Sequence, residues 1–160
     1  MLRPAVSFEE EVLPVVTDPW VASHLKEDDV EPATLTIRED VREYLIFREG
    51  DIIQGVIRFE YMTRTAVLFH PYMYRWARYN SHKMIEELFD ICLHNSINQV
   101  KLQVLFPACR KKLFNFAIKM GFKLEGTMRQ AQYVNGKCVD MLLMGITREE
   151  MAEYKDGRRC

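Results

Sequence analysis

Two early stretches are dense in β-branched and aromatic residues. Tyr44-Leu45-Ile46-Phe47 and Ile52-Ile53-Gln54-Gly55-Val56-Ile57-Arg58-Phe59 flank Arg48-Glu49-Gly50-Asp51, a hairpin-length connection. A third strand is expected over residues 65–69. Three strands joined so briefly must be antiparallel neighbours. The period then changes: Met84, Ile85, Leu88, Phe89, Ile91 and Cys92 recur at helical spacing, predicting an amphipathic helix over 81–93 with Ser81 as its cap. Val100, Leu102, Val104 and Phe106 alternate in a strand over 99–106 that Pro107 ends. A second helix is expected over 109–120, stopped by Gly121. Extended runs over 123–134 and 137–146 flank Asn135-Gly136, the pair that suits a type I′ turn. Thr147-Arg148-Glu149-Glu150 reads as an acidic helix start.

The first forty residues are the least regular, punctuated by Pro4, Pro14 and Pro32. A short helix is expected over 18–27 with Pro19 at its first position, and Lys26-Glu27-Asp28-Asp29 reads as a solvated loop. The order of elements predicts a single α/β domain over 41–150, a mixed, mostly antiparallel sheet flanked by helices. An irregular extension over 1–40 precedes it and a polar tail over 151–160 follows.

Composition narrows the choice of partner. The 160 residues carry 22 Lys plus Arg against 23 Asp plus Glu, a formal charge of -1. That balance lacks the basic excess that favours a long phosphate backbone, so no nucleic-acid partner is expected. No apolar run approaches membrane-spanning length, and no membrane partner is expected. Cys92, Cys109, Cys138 and Cys160 form no C-x-x-C pair, and with His24, His70, His82 and His94 they give neither zinc-ligand spacing nor a disulfide framework, so no metal is expected. The N-terminal stretch turns acidic where a signal peptide is apolar, and a reducing cytoplasm is the expected compartment.

The segment Lys119-Met120-Gly121-Phe122-Lys123-Leu124-Glu125-Gly126-Thr127-Met128-Arg129-Gln130, followed by Tyr133-Val134-Asn135-Gly136-Lys137-Cys138-Val139-Asp140, resembles the C-terminal third of the GNAT acetyltransferases. The likeness is greatest to the branch that acetylates ribosomal-protein N-termini, and it covers roughly residues 43–148. His70-Pro71-Tyr72-Met73 and Phe106-Pro107-Ala108-Cys109-Arg110 look like small GNAT-like proteins of tailed bacteriophages. The resemblance implies a sheet splayed between its fourth and fifth strands and, if the chain is active, acetyl-CoA as cofactor.

The family holds the pyrophosphate of that cofactor in a glycine-bearing loop before a helix, where bare backbone N–H groups approach the phosphates. The matching segment here is Arg75-Trp76-Ala77-Arg78-Tyr79-Asn80-Ser81. Arg75 agrees with the family, but Arg78 and Asn80 stand where glycines belong. The tyrosine that many members use as general acid aligns with Ala117, the family's asparagine with Arg110 and its small residue with Leu113. Tyr133 or Tyr79 is the candidate replacement hydroxyl, and Glu60 or His70 the candidate base. Two functions follow from the resemblance. One is a GNAT-fold protein that has lost catalysis and binds a protein, either itself or a phage structural component in host cytoplasm or virion. The alternative is an active N-acetyltransferase acting on a protein or small-molecule amine.

Overall fold

A computed structural model describes residues 1–25, 39–94 and 101–157. Its strands are β1 (Leu2–Pro4), β2 (Tyr44–Glu49), β3 (Ile52–Tyr61), β4 (Ala66–Met73), β5 (Lys101–Pro107), β6 (Lys123–Val134) and β7 (Lys137–Thr147). They form one mixed seven-stranded sheet in the order β1-β2-β3-β4-β5-β7-β6, with β4 and β5 parallel. The helices are α1 (Leu13–Val16), α2 (Pro19–Leu25), α3 (Ser81–His94), α4 (Lys111–Lys119) and α5 (Arg148–Gly157). The chain is an α/β domain of the expected class. Residues 26–29, 99–100 and Cys160, on which parts of the expected loop, helix and strand fall, lie outside the described residues.

Two compact units divide the chain. The first comprises Met1–Phe59 and His70–Met84. Gly50, at φ 59°, turns the chain between β2 and β3, in the left-handed region that glycine enters without strain. The expected irregular extension is corrected here. Leu2 pairs with Phe47 to make β1 an edge strand, a wide helical turn over Phe8–Val12 runs into α1, and Val12, Val15, Val16 and Val21 are buried in one cluster with Tyr44, Ile46, Val56 and Tyr72. Three residues are too short for an alternation signal, and the apolar residues of 12–21 are interrupted by prolines and preceded by Glu9-Glu10-Glu11, so neither feature stands out in the sequence. At α2 the expectation holds: Asp18 accepts from the amides of Trp20 and Val21, with Pro19 at the first helical position.

Glu11 ties this segment down. Arg3 donates to its carboxylate, as do the Val6 and Ser7 amides, and these bonds hold its pKa at about 2 although burial pushes the other way. A carboxylate depressed in the folded state contributes stability above its unfolded value and loses it as pH falls through the folded one. The contribution is therefore complete above about pH 4.5 and gone below about pH 2. Glu11→Gln is expected to lower the melting temperature at pH 7, with the gap to wild type closing as acid is added. A gap that stays constant from pH 7 to pH 2 would remove Glu11 from the acid response.

The third expected strand runs further than residue 69. β4 continues to Met73, through Pro71. Among the described residues its pairing with β5 covers Ala66, Val67 and Leu68, opposite Lys101, Leu102 and Gln103. Tyr74 N–H bonds to the Gln54 carbonyl on β3, so by alternation the nitrogen of Pro71 faces away from β3, past the last β5 pair. A proline is tolerated where no ladder bond is required of it.

The second unit comprises Glu60–Phe69 and Ile85–Cys160. α3 sends Phe89, fully buried, between the rings of Phe122, 5.9 Å away, and Tyr154, 5.6 Å away at an interplanar angle of 87°. Gly121, at φ 86°, ends α4 as expected: its N–H bonds to the Ile118 carbonyl and that of Phe122 to Ala117, a Schellman closure. Asn135 and Gly136, at φ 51° and 74°, make the expected type I′ turn between β6 and β7. The expected polar tail is corrected to helix. Thr147 and Glu150 exchange side-chain and backbone bonds as a capping box at the start of α5, which buries Met151.

β6 is irregular at two points. Between Met128 and Gln132 its register slips, and Gln130 adopts φ 49°. The amide released there is caught by Asp140, whose carboxylate accepts it at 2.8 Å. This assigns a structural role to the aspartate of the Asn-Gly-x-x-x-Asp run. Asp140→Ala is expected to cost about 1 kcal/mol, read by urea denaturation, and Asp140→Asn, which keeps an acceptor, about half as much. Equal losses in both variants would show that the charge rather than the acceptor matters. At the second irregularity, between Leu124 and Gly126, the Glu125 carboxylate meets Lys101 Nζ at 2.5 Å and Gln103 Nε2 at 2.6 Å, both on β5.

Candidate active site

The segment over 75–81 is not an open loop. Arg75–Asn80 wind into a 3₁₀ turn that runs directly into α3. Ser81, the expected cap, is already helical; its amide and hydroxyl both bond to the Arg78 carbonyl, the hydroxyl at 2.6 Å. A continuous turn of this kind needs no glycine, because no left-handed residue occurs in it.

Winding the segment up sorts its side chains. Ala77 and Asn80 point inward and are buried. Asn80 Nδ2 donates to Gln54 Oε1 at 2.7 Å and to Glu49 Oε2 at 3.3 Å, while Gln54 Nε2 donates to the same Glu49 oxygen at 2.7 Å. Gln54's amide, then Lys83 with its ammonium 3.6 Å away, hold the Glu49 carboxyl below the usual carboxylate range. The asparagine at the glycine position is thus a buried anchor that fixes the turn on the β2–β3 hairpin. Gln54 could have signalled this: a polar residue inside an apolar strand must find partners when buried.

Arg75, Trp76, Arg78 and Tyr79 point outward. Trp76 stacks on Tyr74 with ring centroids 5.7 Å apart and planes 12° from parallel, and remains 52% exposed. Arg78 lies over the Trp20 ring, 5.3 Å from its centroid. Burial pushes the Tyr74 hydroxyl pKa up, with a smaller contribution from Asp18. These outward groups fit a phosphate-bearing ligand through side chains, where the family uses glycine backbone. Tyr74 and Trp20 were not among the sequence candidates; the signal was the density of aromatic residues beside arginines.

Two of the catalytic candidates lie in the second unit. Glu60 is at the end of β3, and Tyr133, 44% exposed, is beside the β6–β7 turn. In the strand order β3 and β6 are four steps apart, about 19 Å at the spacing of a sheet. They do not form one acid–base pair. Ala117, at the position of the family's acid, is buried, and its carbonyl closes the Schellman turn. Leu113 is exposed and Arg110 precedes α4 without a side-chain cap bond. Cys92 is buried, which pushes its thiol pKa up to about 11 and leaves it inert.

No protein-family model matches the sequence, and no curated protein matches it. Solved structures do resemble it. Variant forms of the spermidine/spermine N-acetyltransferase SpeG from Vibrio cholerae superpose with a TM-score of 0.63 at 14% identity, covering 69% of this chain and 69% of that chain. A chimera of the Vibrio cholerae enzyme with hSSAT gives 0.61 at 16% identity over 68% of each chain. SpeG from Vibrio cholerae in complex with manganese ions gives 0.62 at 14% identity, over 69% of this chain and 67% of that one. These neighbours lend nothing to the ribosomal-protein branch or to a phage origin. What strand order, the short β4–β5 pairing and these superpositions share is the fold of the GNAT N-acetyltransferases, and the chain has that fold.

Proposed function

We propose that this protein is an N-acetyltransferase that moves an acetyl group from acetyl-CoA to an amine. The observation that carries the reading is the likeness to N-acetyltransferases over 69% of both chains. The cofactor supplies an acetyl thioester whose acyl carbon accepts an amine lone pair. Arg75 and Arg78 would hold its phosphates by charge-assisted bonds, replacing the backbone donors that the glycine-free turn does not offer. Glu60 is proposed to take the proton of the acceptor amine. A buried Ala117 removes acid assistance from that position. A thiol leaving group ionises near pH 8.5, so its departure depends less on a strong acid than that of an alkoxide.

A second reading, a non-catalytic binding or assembly protein, is favoured by one observation: Ala117 and Asn80, at two positions where the family carries functional residues, are both committed to packing and hydrogen bonds within the fold. Calorimetric titration with acetyl-CoA, followed by an assay for acetylated amine, separates the two. Micromolar binding to the wild type, weakened at least tenfold in Arg75→Ala, is expected of the enzyme; no heat at millimolar cofactor would end that reading. Arg75 makes no ion pair among the described residues, so the variant should keep its stability within about 0.5 kcal/mol.

A further inference from the structure

We propose that Trp76, backed by Tyr74 and flanked by Arg75 and Arg78, is a stacking platform for a phosphorylated purine nucleotide. The occupant would be the 3′-phospho-ADP end of CoA. The inference rests on the acetyl-CoA reading above for the identity of the ligand, but on its own geometry for the site.

An indole that is 52% exposed while nearly parallel to a tyrosine ring has one face covered and the other turned to solvent. The covered face is held, because Tyr74 N–H is bonded to Gln54 O and the turn that carries Trp76 is anchored by buried Asn80. The ring is therefore positioned before any ligand arrives, which lowers the ordering cost of stacking. Base–aromatic stacking is worth a factor of roughly 5 to 150 in affinity, and every base has a π-face to offer. What selects among planar ligands is charge. Arg75 is the neighbouring residue, and Arg78 is one turn on, its guanidinium kept in place over Trp20. Glu49 on the anchoring hairpin is occupied by Gln54, Asn80 and Lys83, and Asp18, the carboxylate that acts on Tyr74, accepts from the amides of Trp20 and Val21. A turn that carries two exposed arginines, one on either side of an exposed indole in the sequence, suits a base that carries phosphate on its ribose. Ligand selection thus moves from the pyrophosphate, which a glycine loop would cradle, to the nucleotide end.

The test uses the full chain with Trp20→Phe, so that Trp76 is the only indole and Arg78 keeps a ring beneath it. Adenosine 3′,5′-bisphosphate is the probe, and Trp76 fluorescence is the readout. Expected is saturable quenching that weakens with added salt, about tenfold weaker in Arg75→Ala, and competition between the probe and acetyl-CoA. Trp76→Ala in the otherwise natural chain, followed by calorimetry, should weaken probe binding by a factor of roughly 10 to 100. Pantetheine, which lacks the nucleotide, should neither quench nor compete. No quenching at millimolar probe would overturn the platform. Equal affinity for ADP and for the 3′-phosphorylated probe would assign it to free nucleotides, and tighter binding of a single-stranded oligonucleotide would assign it to nucleic acid; either overturns the CoA assignment. If the probe quenches and acetyl-CoA competes but no amine is acetylated, the platform stands and the enzyme reading falls. If acetyl-CoA binds and is used while Trp76 is unaffected, the enzyme reading stands and the platform falls.

Discussion

Replacing Phe89 by alanine is expected to remove about 4 kcal/mol of stability, a large share of the margin by which a domain is folded. Phe89 is fully buried on α3, and its ring touches Phe122 and, edge-on, Tyr154. Phe122 in turn packs against Phe69 on β4, 5.9 Å away. The side chain on α3 therefore joins α5 to the turn after α4, which Phe69 backs from β4, and a void left there has walls that cannot all close in. Phe89→Leu keeps most of the volume and should lose about 1.5 kcal/mol. Urea titration followed by circular dichroism reads both. If Phe89→Ala costs no more than Phe89→Leu, the site collapses freely and the aromatic cluster is not the core of the second unit.

Gly55→Ala should be nearly as damaging, by about 3 kcal/mol, because the obstruction is backbone. A Cβ at Gly55 would stand 2.5 Å from the carbonyl oxygen of Tyr72 and 3.1 Å from the Met73 Cα, as well as 2.9 Å from Met73 Cγ. A methionine side chain can swing away; the strand it hangs from cannot do so without stretching the adjacent bond from Tyr74 N–H to Gln54 O. Gly126→Ala is the control, since a Cβ there meets nothing within 4 Å. It should stay within about 0.5 kcal/mol of the wild type. Comparable losses at the two glycines would show that β4 yields and that the close approach is not required. Because Gln54 also holds Asn80, the damage at Gly55 should extend to acetyl-CoA affinity, an effect that Gly126→Ala should lack.

How much of this was legible in the sequence depends on where the deciding partner lay. Asn135-Gly136 and Gly121 act through their own φ angles, so a local reading placed the β6–β7 hairpin at its observed start and turn and found the stop of α4. The amphipathic period of α3 came from one buried face and was equally readable. β4 was cut short at residue 69 because Pro71 ordinarily argues against a strand, and only the pairing with β5 shows that its nitrogen is not needed in a ladder. The turn over 75–80 was the largest gap. Counting absent glycines identified where the chain departs from the GNAT pattern, but not what replaced them. The replacement is a contact between Asn80 and Gln54, 26 positions apart, and no local pattern encodes it.

Glu125 and Gly145 carry a consequence for how this chain can change over time. A Cβ at Gly145 would fall 2.3 Å from Glu125 Oε1, and the Glu125 carboxylate is the group that reaches Lys101 and Gln103. The obstruction is the far end of a flexible side chain, so a larger residue at 145 would turn the carboxylate aside rather than move a strand. What such a change would cost is the bridge to Lys101 and Gln103, a cost that disappears in a lineage that has already lost Glu125. The two sites are thus coupled through that bridge alone, and the order in which the substitutions arrive sets when about 1 kcal/mol of it is lost.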